Sequence, residues 1–126
     1  MSRYNKDLGD FGEQAAAEHL MGKGYTILER NYRCRAGELD LVARKEQWLV
    51  FVEVKTRSSR RYGQPAEAVG YKKQIHMRRV AAHYLSCHPT RQEIRFDVVE
   101  VYAELQDGVH ALDSINHIEN VVLQDM

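Results

Sequence analysis

Cysteine is scarce. Cys34 and Cys87 lie far apart, with neither the paired spacing of a zinc site nor the makings of a disulfide framework, so free thiols are expected. Proline is equally rare, and Pro65 and Pro89 each read as helix boundaries. There is no internal repeat and no low-complexity segment. No apolar run approaches the ~18–20 residues of a membrane span, and the opening MSRYNKDLGD carries no signal-peptide core. No membrane partner and a cytoplasmic location are therefore expected.

Net charge is missing too: 18 Lys and Arg balance 18 Asp and Glu. The balance is uneven along the chain. All 18 basic residues lie at or before Arg95 against eleven acids there, a local net of +7, and the other seven acids follow Arg95. A basic body with an acidic C-terminal part is compatible with nucleic acid, because attraction to phosphates depends on the face presented. At 126 residues the chain is large enough for one hydrophobic core. A single domain, 1–126, is expected, with its core at about 9–101 and an acidic segment at 102–126.

From Asp7 to Lys23 the spacing predicts an amphipathic helix with Leu8, Phe11, Ala15, His19 and Leu20 as its stripe. Asp7 suits the N-cap and Gly24 the C-terminal stop. Gly9 and Gly12 weaken a helix interior by about 1 kcal/mol each, which close packing is expected to offset. Tyr25–Tyr32 reads as a strand. A second helix is expected from Pro65 to Ser86, with Ala66, Val69, Met77, Val80, Ala81, Tyr84 and Leu85 as its stripe. Lys73 interrupts that stripe and must reach a negative group or snorkel out. With Gln74 it is a candidate for substrate phosphate, while Lys72, Arg78 and Arg79 form an outer basic face. His76, His83 and His88 read as surface histidines, because no cysteine set accompanies them. Ile94–Ala103 is a strand that puts Phe96, Val98 and Glu100 on one face and Asp97, Val99 and Val101 on the other. Asp97 beside Arg95 reads as structural, with orientation of the basic loop as the other reading, and Val109–Ile115 reads as an edge strand.

The chemistry concentrates in Gly37–Lys55, GELDLVARKEQWLVFVEVK. Leu39, Leu41 and Ala43 alternate with Glu38, Asp40 and Val42, and a β-branched and aromatic run follows from Trp48. This is a hairpin. Glu53 and Lys55, two apart, share a face. An even loop, Arg44–Gln47 or Lys45–Glu46, pairs Asp40 with Phe51 and Glu38 with Glu53, leaving Asp40 diagonal to Glu53 at about 5–8 Å. Glu38, Asp40, Glu53 and Lys55 then converge, whereas an odd loop separates them. Carboxylates this close repel unless a cation or raised pKa values relieve them, and oxygen-only ligands favour Mg²⁺ or Mn²⁺. An ordinary ion pair at a strand end is the competing reading. Thr56–Pro65 reads as a mobile basic loop beside the site, with Arg57, Arg60 and Arg61 placed to contact phosphates.

The pattern E-x-D, a short gap, then hydrophobic-E-x-K resembles the core of the PD-(D/E)XK nuclease superfamily. More closely, the chain resembles the small bacterial YraN family, itself similar to archaeal Holliday-junction resolvases. The likeness takes in Gly9, Gly12-Glu13, Gly24-Tyr25, Asn31, Gly37–Leu41, Phe51–Lys55, Arg57, Gly63, Ala68-Val69, Lys73-Gln74 and Arg95–Asp97. One position departs from the wider superfamily: Leu39, not proline, precedes Asp40.

The resemblance implies an α/β, restriction-endonuclease-like αβββαβ sandwich with a central mixed sheet and helices on both faces. It also implies a metal-dependent DNA endonuclease. Asp40 and Glu53 would hold Mg²⁺ or Mn²⁺ with the Val54 carbonyl and Glu13 or Glu38, and Lys55 would assist the attacking water or the transition state. By analogy the substrate is branched or damaged DNA and the protein a homodimer. Two other functions fit the same residues. A non-catalytic nucleic-acid-binding protein would bind DNA in a salt-dependent way without cutting it, and a protein-interaction scaffold would use its acidic C-terminal part.

Overall fold

A computed structural model describes residues 3–58 and 70–121. The order is α1 (Arg3–Gly22), β1 (Thr26–Cys34), β2 (Gly37–Lys45), β3 (Trp48–Ser58), α2 (Tyr71–Cys87), β4 (Glu93–Gln106) and β5 (Val109–Ile118). The strands form one mixed sheet in chain order, β1 to β5. Among the described residues only β3 and β4 pair in parallel, and the connection that parallel pairing demands carries α2 over one face. The expected α/β architecture is present, with β5 added at an edge.

β3 is apolar along its first half because both of its faces are covered. Val50 and Val52, with Leu41, Ala43, Val99 and Val101, pack beneath Ala16, Ala17 and Leu20 of α1. Leu49 and Phe51, with Val42 and Val98, pack against Met77, Val80, Ala81 and Tyr84 of α2. Burying each of the larger side chains contributes about 1.5–3 kcal/mol. The alternation expected for β4 is borne out by Val98 in the α2 layer and Val99 and Val101 in the α1 layer.

Several local expectations are corrected. α1 begins at Arg3, so Asp7 lies within the helix and is not its cap. Its buried seam is Gly12, Ala16, Ala17 and Leu20, with Phe11 and Ala15 only half-buried. Small residues bring this helix close to the sheet: a methyl group on Gly12 would overlap the Thr56 side chain, whereas Gly9 faces open space. Close packing therefore accounts for Gly12 and not for Gly9. At the other end Tyr25 N–H donates to Leu20 O at 3.0 Å and Gly24 N–H to Met21 O at 3.0 Å, with Gly24 at φ 94°. This is the Schellman arrangement that makes Gly24 the right stop.

β3 continues through Thr56–Ser58, which composition assigned to a loop, because β4 pairs with it as far as Ser58↔Ala103. Gly70 is extended (φ −66°, ψ 161°) and caps α2, so the helix does not run on from Pro65. Pro65, Ala66 and Val69 lie outside the described residues, as do Arg60, Arg61 and Gly63.

Asp97 is fully buried on the α1 face of β4, in step with Val99 and Val101. It accepts from Arg95 Nε (2.9 Å) and Nη2 (2.8 Å), from the Asn120 backbone N–H (2.9 Å), and pairs with His117 Nε2 (2.7 Å). Arg95 also donates to the Tyr25 hydroxyl. The Arg95–Asp97 pair is structural, as expected.

Candidate functional site

The β2–β3 turn is the two residues Glu46 and Gln47, between Lys45↔Trp48. The loop is even, as the convergence requires, but the register lies two residues from the one expected. Val42, not Asp40, faces Phe51, and the ladder ends at Leu41↔Val52. Its next step sets Asp40 across from Glu53, directly and not diagonally. The turn was hard to place because Glu46 takes a left-handed φ of 54°, a conformation for which glycine is the usual signal.

Alternation in β2 breaks at Asp40. Leu41 lies in the α1 layer and Leu39 in the α2 layer, although they stand two residues apart. On β1 their partners are Arg30 and Tyr32, and the residue between those, Asn31, is at φ 51°. The strands part here, and the Asp40 side chain turns into the opening, where Oδ2 accepts from the Val54 N–H at 2.7 Å. The N–H and C=O of one extended residue point the same way, so the Val54 carbonyl faces the same opening.

Asp40 meets carboxylates from two sides. It shares a hydrogen bond with Glu53, and Glu13 of α1 feels its charge. Burial first, and Glu53 second, push the Asp40 carboxyl up to about 7, against the pull of the Val54 N–H and Lys73. Burial, then Asp40 and Asp10, raise Glu13 as well, while a hydrogen bond with Asn31 opposes the shift. Glu53 is relieved differently, because Lys73 Nζ lies 2.5 Å from its Oε2. The lysine that interrupted the α2 stripe has thus found its negative group.

Lys55 follows Glu53 by two residues on β3, and the alternation of Phe51, Val52 and Glu53 gives it the same face. Glu38 does not join Glu53. Its carboxylate pairs with Arg33 Nε at 2.9 Å, and it lines a groove of about 450 Å³ with Gly9, Glu13 and Asn31. Arg57 is half-buried on β3, Lys72 is exposed, and Gln74 is buried in the first turn of α2. The histidines of α2 are engaged, His76 with the Glu38 carbonyl (2.8 Å) and His83 with the Tyr32 hydroxyl (2.9 Å). The two cysteines are free thiols.

A hard cation suits this donor set. Among the described residues no three His, Cys, Asp or Glu side chains gather as a metal site. Asp40, Glu53 and the Val54 carbonyl are all oxygen donors, Glu13 stands at their margin, and magnesium commonly binds through one or two carboxylates while keeping several waters. The closeness of Asp40 and Glu53, met so far by the raised Asp40 carboxyl and by Lys73, is what a divalent ion would also answer. Sequence reasoning placed Asn31 in the YraN-like pattern without a role, although a polar residue within a strand was the available signal, and it assigned no site role to Glu100, which is buried on β4.

Comparison with known proteins agrees in extent with the YraN-like pattern. The uncharacterised protein family UPF0102 matches residues 12–101. The chain is 50% identical over 117 residues to a UPF0102 protein of Syntrophomonas wolfei, covering 92% of this chain and 97% of that one. It is 47% identical over 119 residues to a UPF0102 protein of Alkaliphilus oremlandii (92% and 97%), and 43% identical over 117 residues to one of Caldicellulosiruptor bescii (91% and 96%). No helix among the described residues is long and apolar enough to cross a membrane.

Proposed function

The chain belongs to the UPF0102 family, and we propose that it is a metal-dependent endonuclease that hydrolyses phosphodiester bonds in DNA, with branched or damaged DNA as its substrate. The observation that carries this reading is the Asp40–Glu53 pair, with the Asp40 carboxyl raised and Lys73 against Glu53. Asp40, Glu53 and the Val54 carbonyl would hold Mg²⁺ or Mn²⁺, with Glu13 beside them, and the chemistry such an ion would supply is acidification of a water and neutralisation of phosphate charge. Lys55, on the face of Glu53, orients the attacking water or stabilises the pentacovalent transition state. Lys73 balances Glu53 until phosphate arrives, and can then turn its ammonium to the scissile group. Arg57, Lys72 and Gln74 position the backbone on either side.

Nicking of supercoiled plasmid and of a four-way junction in Mg²⁺ or Mn²⁺ tests the reading. Asp40→Ala and Glu53→Ala should each cut at least about a hundredfold more slowly than the wild type. Equal cutting by all three proteins would exclude it. A second reading draws on the Lys73–Glu53 pair, which satisfies that carboxylate without a cation. On that view the protein binds nucleic acid and does not cut it, and salt-dependent binding without nicking in any divalent metal would favour it.

A further inference from the structure

Glu100 has no part in the mechanism above, yet it lies beside it. On the parallel β3–β4 ladder its partner is Lys55, about 4.8 Å away across the sheet. Val99 and Val101 face the α1 layer and Val98 the α2 layer, so Glu100 shares the face of Glu53, Lys55 and Lys73. Its side chain is 1% exposed. Oε1 accepts from Asn116 Nδ2 at 3.0 Å, while Oε2 is buried and has no hydrogen-bond partner among the described residues.

A carboxylate oxygen removed from water needs a donor, and a cation is the strongest one. Lys73, Arg57 and Lys55 are cationic side chains on this face. Lys73 is held by Glu53, Arg57 stands two residues further along β3, beside Tyr102, and Lys55 is directly opposite. We propose that Glu100 is a positioning residue, whose Oε2 receives the Lys55 ammonium and fixes it next to the Glu53 carboxylate. A flexible four-carbon stem leaves a lysine ammonium poorly placed unless something holds it, and the gain is in orientation at the reacting phosphate. The proposal rests on the endonuclease reading only for what Lys55 does next, because the contact it assigns needs no DNA.

NMR of the side-chain ammonium groups in ¹⁵N-lysine, ¹³C-glutamate-labelled protein, free of metal, reads that contact directly. In the wild type the Lys55 ammonium should be ordered and show scalar coupling to the Glu100 carboxyl carbon. Both signatures should vanish in Glu100→Gln, a change that a purely structural carboxylate would not impose on Lys55. If Glu100→Gln does not fold, the wild-type spectrum decides alone. A mobile, uncoupled Lys55 ammonium, or Oε2 occupied by water or another side chain, overturns the proposal. In nicking assays Glu100→Gln should lower kcat about ten- to a hundredfold with KM within about twofold, and unchanged kcat in the folded variant overturns it. Should the wild type cut no DNA, the nuclease reading fails by itself while the ammonium spectrum still settles the role of Glu100.

Discussion

Asp40 and Asp97 sit in the same sheet, and their carboxyls are driven in opposite directions. Asp97 is shut off from solvent, and burial alone would raise it, but His117, Arg95 and the Asn120 N–H outweigh burial and hold it below the ordinary range. At Asp40 burial first and the Glu53 carboxylate second raise the carboxyl to about 7, and the one backbone N–H it receives does not offset them. Depth therefore does not separate the two. The donors supplied by the surroundings do. A carboxylate with every lone pair answered is a fastener, and one left beside a like charge is available to a ligand.

The largest effect expected from this contrast is at Asp97. Asp97→Ala leaves His117 without its carboxylate and Arg95 with the longer contact to Glu119 at 3.4 Å, and should cost about 3–5 kcal/mol of unfolding free energy. Urea denaturation at pH 7 measures it. A loss below about 1 kcal/mol would mean that the network is no fastener and would collapse the comparison.

A smaller effect asks whether α1 is held where Glu13 can feel Asp40. Gly12→Ala forces the new methyl onto the Thr56 side chain and should cost about 1–3 kcal/mol, as overpacking does. Gly9→Ala, facing open space on the same helix, should be neutral or stabilise by up to about 1 kcal/mol. Thermal melts of the two variants compare them directly. Equal gains would show that helix propensity, not contact with β3, governs this segment.

Much of this arrangement could be read from the sequence. Alternation in Leu39–Ala43 and the apolar run from Trp48 gave the hairpin, and parity alone brought Asp40 and Glu53 together. Lys73 on an otherwise apolar stripe signalled a charged partner, and Glu53 is that partner. The register was not legible, since a turn of Glu46 and Gln47 carries no glycine, asparagine or proline to mark it. Glu38 was misplaced for a related reason. Strict alternation could not foresee the break at Asp40, which depends on Asn31 across the strand pair. The fastener around Asp97 was hidden by distance, because Tyr25 and His117 reach it from remote points in the chain.

The smallest effect is the most diagnostic, because its sign differs at the two aspartates. Asp40 has a folded pKa of about 7, above the ordinary value near 3.9 that it has when unfolded. The unfolded chain loses this proton first, so the contribution to stability is full below about pH 4 and disappears as pH rises through about 7. Asp97 is depressed, so its contribution is present above the ordinary carboxylate range and is lost on acidification. Metal-free wild type should therefore lose about 1–2 kcal/mol between pH 5 and pH 8. Asp40→Asn should flatten that slope and leave the acid limb in place. Added Mg²⁺ should restore stability at pH 8 in the wild type and not in the variant, since an ion that binds only the folded site stabilises it by mass action. Denaturation curves at the two pH values, with and without the ion, read all of this. A slope that survives in Asp40→Asn would place the raised group elsewhere.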